Sequence, residues 1–235
     1  MSNDLRYVAF CDILGFSNSI LNDFDAALAS YQALGEILAS SETSLEGVEA
    51  TMYSDAVLIT GESLPSVLRA VQNFWFFALM RDFMIRGAIA HGRYWERRSG
   101  GHLFVASDAL VRAVKLERSV GVPAVVIADD IEIPDSYWAA RFSNETHGQY
   151  ITPLLHFRDR NIVNPFHIMW HRSAGDRARK QMELSPRYKD KYLWFLALHQ
   201  AVGDGEPLVP PTVLARFMRM IKSQDKPPSE TPHAN

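Results

Sequence analysis

The sequence of 235 residues has a single cysteine, Cys11, which excludes an internal disulfide and any cysteine-cluster metal site and fits a reducing compartment. It also lacks a long hydrophobic run. The most apolar stretch, Phe74 to Met80, is far short of the ~20 residues a membrane-spanning helix requires. Neither sign of charge is in clear excess: 24 basic and 27 acidic residues leave a net charge of −3, which gives no overall footprint for nucleic acid or an anionic membrane. Any anionic ligand must be held locally. The opening Met1-Ser2-Asn3-Asp4 has no basic n-region before an apolar stretch, so no signal peptide is read and a cytoplasmic protein is expected. What remains, 47% hydrophobic and 22% charged residues, is the composition of an ordinary soluble globule.

Leu5 to Leu14 is apolar and aromatic up to Gly15, and reads as a first strand covered on both faces. From Phe24 to Leu38, the residues Leu28, Tyr31, Leu34 and Leu38 recur as the buried stripe of a helix. Val48 to Thr60 reads as a hairpin around a Ser54-Asp55 turn, Leu64 to Asp82 as a long helix, and Ile85 to Trp95 as a strand. In that strand Gly87 and Gly92 mark a bulge or the close approach of another backbone. Arg97 to Gly101 reads as a flexible loop, Ser107 to Arg118 as a helix ended by Gly121, and Ala124 to Ile127 as a short strand. Interleaved in this way, the elements predict an α+β core, one sheet with helices packed on it, over 1–135. Beyond it, 136–222 reads as a largely helical extension packed on the core, with helices at Ala174 to Leu184, Pro186 to Ala201 and Val213 to Ile221. The tail 223–235 lacks apolar residues that would dock it and is read as disordered.

Two carboxylates stand out because they adjoin apolar strands: Asp12 at the end of the first strand and Asp55 at the tip of the hairpin. Unpaired buried carboxylates are expensive. If the hairpin lies beside the first strand the two side chains converge, and divalent cations bound between them relieve their repulsion. Such a two-metal site suits in-line phosphoryl transfer. Gly15 lets the chain turn tightly, so that amides near Ile13 to Phe16 are free to face a polyphosphate. Taken alone, the same two aspartates also fit ordinary turn formers.

Ala9 to Ser17 (AFCDILGFS) followed by Glu49 to Gly61 (EATMYSDAVLITG) resembles the metal-binding strand and hairpin of class III nucleotidyl cyclases. The match continues in order through Arg86 to Gly92 (RGAIAHG) and Ser107 to Glu117 (SDALVRAVKLE), over about half the chain. The resemblance implies a ferredoxin-like cyclase core, mostly antiparallel sheet with helices packed on it, working as a homodimer with interfacial active sites. It implies that Asp12, the Ile13 carbonyl and Asp55 bind two Mg²⁺ or Mn²⁺ ions, with Phe10 and Ile13 against the nucleotide; Gly15 and Phe16, in the turn read above as facing a polyphosphate, join the expected substrate-binding residues.

The departures narrow the substrate. Where purine cyclases of this class carry a base-reading lysine and aspartate, this chain has Thr51 and Phe104; the Asn-x3-Arg pair falls on Val111 and Lys115. Tyr53, two residues before Asp55, shortens a base pocket and offers one hydrogen bond, which suits a one-ring base. The Tyr-Ser-Asp turn, Arg-Gly-Ala-Ile strand and helical tail are similar to the pyrimidine cyclases of bacterial Pycsar anti-phage systems. The expectation is a cyclase making cyclic UMP from UTP, a second messenger for a separate effector. Cyclic CMP and purine products are the alternatives, and a catalytically silent nucleotide-binding or dimerisation module is the alternative of another class.

Asp108, Arg112 and Lys115 share one polar stripe of a helix, which in a dimer faces the partner's triphosphate or else is a plain solvated face. Arg112 and Lys115 are the candidate clamps. Arg86, inside an apolar strand, is read either as a contact to base or phosphate or as half of a structural ion pair. Arg93, Arg97 and Arg98 flank the glycine-rich loop and read as solubilising. His167 and His171 have the spacing of a zinc pair on a helix, but Pro165 and the apolar residues between them read as an extended core segment instead.

Overall fold

Asp4–Leu14 forms strand β1, the seam of the sheet, in a computed structural model that describes residues 4–139, 152–166 and 170–224. Gly15, at φ 85°, then turns the chain into a short helix, α1 (Phe16–Asn22), and α2 (Phe24–Ser44) follows it. The hairpin β2 (Val48–Tyr53) and β3 (Ala56–Gly61) comes next, then α3 (Leu64–Met80), β4 (Met84–Ser99) and β5 (His102–Ser107). Helix α4 (Asp108–Val120) is capped by the Ser107 hydroxyl, which accepts from the Leu110 amide, and ends at Gly121 with φ 65°. After it come β6 (Val125–Ile127), the single turn α5 (Ser136–Ala139), and the hairpin β7 (Leu154–Phe157) and β8 (Arg160–Val163). The described chain closes with α6 (His171–Leu184), a 3₁₀ turn at Pro186–Tyr188, α7 (Lys189–Gly203) and α8 (Pro211–Gln224). No helix among the described residues is long and apolar enough to cross a membrane.

The eight strands lie in the order β2-β3-β1-β4-β6-β8-β7, with β5 paired to β4. Every pairing is antiparallel except β4 with β6. The α+β architecture, a mostly antiparallel sheet with helices packed on it, is the one expected. The strand β1 is sandwiched as its pattern predicts. Ala9, Cys11 and Ile13 join the main core with Phe74 and Trp75 of α3, while Val8 packs with Tyr94 and Ala109 of α4. Gly87 sits where a Cβ would lie 2.7 Å from the Phe10 carbonyl oxygen and 2.8 Å from the Cys11 sulfur, so its role is close backbone approach rather than a bulge. A Cβ at Gly92 would collide with the Asp108 carboxylate.

Four local readings are revised. The loop expected at Arg97 to Gly101 is the tip of the β4–β5 hairpin, with its turn at Gly100 and Gly101, both at positive φ. The sheet does not stop at β6, because β8 pairs with it and β7 follows. Pro186 opens a 3₁₀ turn rather than the α-helix itself. Helix α8 runs to Gln224, so the first two residues of the tail read as disordered are helical; 225–235 lie outside the described residues.

His167 also lies outside the described residues. His171 instead stacks on His199, with ring centroids 3.8 Å apart and planes at 5°. Each Nε2–H donates to the other residue's carbonyl oxygen, at 2.8 and 2.7 Å, which ties α6 to α7. Burial holds both imidazoles below their ordinary value; His171 adds to the effect on His199, as does Arg179, while Asp176 and the hydrogen bonds oppose it. The fold therefore binds fewer protons here than the unfolded chain once pH drops below the ordinary histidine value, about 6.5. Stability is expected to be flat on this account above about pH 7 and to fall progressively below about pH 6.5. Urea midpoints from pH 7.5 to 5 check this, with a His199→Gln variant losing part of the slope.

Candidate active site

Residue register brings the two aspartates together. Asp12 is paired across the sheet with Ala56 on one side and Arg86 on the other, so the residue just before its β3 partner is Asp55. The Ile13 amide donates to the Asp55 carbonyl at 2.8 Å, pinning the hairpin turn to the end of β1. Ser54, at φ 53°, makes that turn. Each carboxylate is held by one oxygen: Asp12 Oδ2 accepts from Arg86 at 3.1 Å and Asp55 Oδ2 from the Ser17 hydroxyl at 2.7 Å. Neither Oδ1 has a hydrogen-bond partner among the described residues. Burial pushes the Asp12 carboxyl up from its ordinary value, the Arg86 guanidinium pulls it back, and Asp55 adds to the rise.

Arg86 also pairs through Nε with Glu117 of α4, in a close ionic contact that is not aligned as a hydrogen bond. The Glu117 side chain is only 5% exposed, against about a quarter for Arg86 (24%) and Asp12 (25%). One guanidinium thus bridges two carboxylates. Burial raises the Glu117 carboxyl, with Arg86 opposing and Asp12 reinforcing. Glu117 escaped the sequence reading, although it extends the Ala109, Ala113 row by one more turn; an acid on that buried row was the available signal.

The other candidates divide. Phe10 is half-buried on the same face of β1 as Asp12, next to Leu58 and Ala88. Tyr53 is 80% exposed at the end of β2, beside the turn. The Ile13 side chain is buried in the core and its amide is occupied by Asp55, so only its carbonyl remains to act. Phe16 is buried, packed against Tyr31 and Phe83 with centroids at 5.4 and 5.9 Å. Its ring follows the α1 turn inward because Gly15 reverses the chain there.

The polar stripe of α4 also differs from its reading. Asp108 is bound by Arg93, through the backbone amide at 2.7 Å and Nε at 2.8 Å, and the Arg93 side chain holds its carboxyl below the ordinary value. Arg112 donates to the His91 carbonyl at 2.8 Å and pairs with Asp130 in a tight contact, an anchor between α4 and the loop after β6. Lys115 is exposed on α4.

Hard oxygen donors meet at this point of the fold. Among the described residues no three or more His, Cys, Asp and Glu side chains gather to hold a metal ion. A cation here would rest on two carboxylates, a carbonyl and water, the donor set Mg²⁺ and Mn²⁺ accept. The free Oδ1 atoms fit such an ion.

No protein-family model matches the chain, and no curated protein does. Solved structures similar to it include adenylate cyclases from Trypanosoma brucei, 12% identical, with a TM-score of 0.48, covering 69% of this chain and 88% of that one. A guanylate cyclase domain from Catenaria anguillulae in complex with GTP is 18% identical, with a TM-score of 0.43, over 54% of this chain and 79% of that one. An adenylyl cyclase from P. aeruginosa is 12% identical, with a TM-score of 0.41, over 54% of this chain and 77% of that one.

Proposed function

We propose that the protein is a nucleotidyl cyclase that converts UTP to 3′,5′-cyclic UMP and pyrophosphate. The observation that carries this reading is the pinning of the Asp55 turn onto the end of β1, which keeps Asp55 within electrostatic reach of Asp12 while one oxygen of each carboxylate is unengaged. Asp12, Asp55 and the Ile13 carbonyl would hold two Mg²⁺ or Mn²⁺ ions, which when bound activate the ribose 3′ hydroxyl and neutralise the phosphates. Arg86, itself held by Glu117, orients the Asp12 carboxylate, and the Ser17 hydroxyl orients that of Asp55. Phe10 offers an apolar flank to the nucleotide, and Tyr53 a phenol that suits a one-ring base. The 3′ oxygen attacks the α-phosphorus, the bond to the β-phosphate oxygen breaks, pyrophosphate leaves and the hydroxyl proton passes to solvent. Lys115, exposed on α4, would stabilise charge across a homodimer in which a second copy completes the site. The cyclic product acts as a messenger on a separate effector in anti-phage defence.

Incubating the protein with UTP, CTP, ATP and GTP in turn, with Mn²⁺, tests this. Cyclic UMP with equimolar pyrophosphate is the expected product. Cyclic CMP or a purine product would shift the base assignment, and no cyclic product from any triphosphate would sink the enzymatic reading. Two observations favour a silent nucleotide-binding module instead: Arg86 already occupies one oxygen of Asp12, and Arg112 is tied to Asp130. Tight triphosphate binding without turnover distinguishes it.

A further inference from the structure

We propose that Lys191, carried by the C-terminal helical segment of the same chain, is a substrate-binding residue that holds the nucleotide's polyphosphate beside the two aspartates. The inference rests on the nucleotide reading of the site and adds to it a cation that lies 136 positions beyond Asp55 in sequence.

The placement follows from the sheet. Leu14 and Met84 are paired across β1 and β4, two residues beyond the Asp12 and Arg86 pair on each strand, and therefore project from the same face. Both line a cleft of about 140 Å³ that Tyr188 and Lys191 line as well. The segment is fixed to the Gly15 turn. Asn18 donates its amide to the Tyr188 hydroxyl at 3.1 Å, and a Cβ on Gly15 would lie 3.9 Å from the Tyr188 ring. The Lys191 ammonium, on the first turn of α7, stands 5.2 Å from the centroid of that ring, which ties it to the same fixed segment.

Lys191 is half-buried, and among the described residues it is in no ion pair. Its surroundings are those of the site: burial lowers the ammonium from its ordinary value, Arg86 acts in the same direction, and Asp12 and Glu117 oppose them. A cation kept near two carboxylates without being neutralised by a close partner is suited to a polyanion that arrives with its own metals. A flexible ammonium serves as a point charge for phosphate oxygens. Arg112, by contrast, is consumed by Asp130 and the His91 carbonyl.

The test is calorimetric titration of the full chain with a nonhydrolysable UTP analogue and, separately, with tripolyphosphate, both in Mn²⁺. Lys191→Met is expected to weaken both ligands by roughly 10- to 100-fold, to leave binding of Mn²⁺ alone and the melting temperature unchanged, and to be largely rescued by Lys191→Arg. Lys191→Gln serves as the second neutral variant if Lys191→Met loses stability. Unchanged affinity for both ligands in a folded neutral variant, with Asp55→Asn weakened, overturns the role of Lys191 and leaves the nucleotide reading standing. Failure of the wild-type protein to bind any of the four triphosphates overturns that reading and the role of Lys191 with it.

Discussion

Asp55→Asn is expected to lower Mn²⁺-dependent pyrophosphate release from UTP by roughly 10³-fold, since it removes the charge of one of the two carboxylates that would hold the metals while keeping the shape of the side chain. The turn itself should survive. Its geometry depends on the Asp55 carbonyl, which accepts from the Ile13 amide, and on the left-handed Ser54, neither of which the substitution alters. The unfolding free energy is therefore expected to change by no more than about 0.5 kcal/mol. Asp12→Asn should abolish turnover to a similar degree but also cost stability, because its carboxylate is a partner of the half-buried Arg86. A coupled pyrophosphate assay and urea denaturation separate the two variants. Full activity in Asp55→Asn would remove that residue from the chemistry.

Arg86→Met carries the largest expected effect on folding. It leaves Asp12 and the nearly buried Glu117 facing each other with no cation between them, and a broken buried pair typically costs about 3–5 kcal/mol. Because Arg86 and Asp12 keep about a quarter of their side-chain exposure (24% and 25%), the lower end, about 3 kcal/mol, is expected. Adding Glu117→Gln should recover more than half of the loss, since the second charge is then gone and its amide can still hydrogen-bond. Equilibrium unfolding of the single and double variants measures this coupling. If Arg86→Met alone matched the parent protein, the bridge would have no structural weight.

The parts of this fold that could be read from the sequence are those governed by local rules. The strand ending at Gly15, the hairpin around Ser54-Asp55, and the helix opened by Ser107 and closed by Gly121 all lie where turn and cap chemistry puts them. Strand β5 and the β7–β8 hairpin were not legible. His102–Ser107 is largely exposed and has no apolar alternation to mark it, and β7 and β8 are four residues each. Asp12 and Asp55 could be picked out because carboxylates beside apolar strands are unusual. The side chains around them could not. Whether Arg86 meets Glu117, or Arg112 meets Asp130, depends on how α4 lies against β4 and the loop after β6, and no local pattern states that. The burial of Ile13 was hidden for a related reason: in a strand, the residue next to Asp12 projects from the opposite face, here into the core.

The pairing of β8 with β6 limits how the protein can be trimmed. A fragment ending near Ile133 would keep every residue of the aspartate pair yet strip the neighbour from a three-residue parallel strand, turning an interior ladder into an open, sticky border. Deletions made to isolate a minimal working piece should spare the β7–β8 ribbon, and fusions are better attached after the last helix than between β6 and β7.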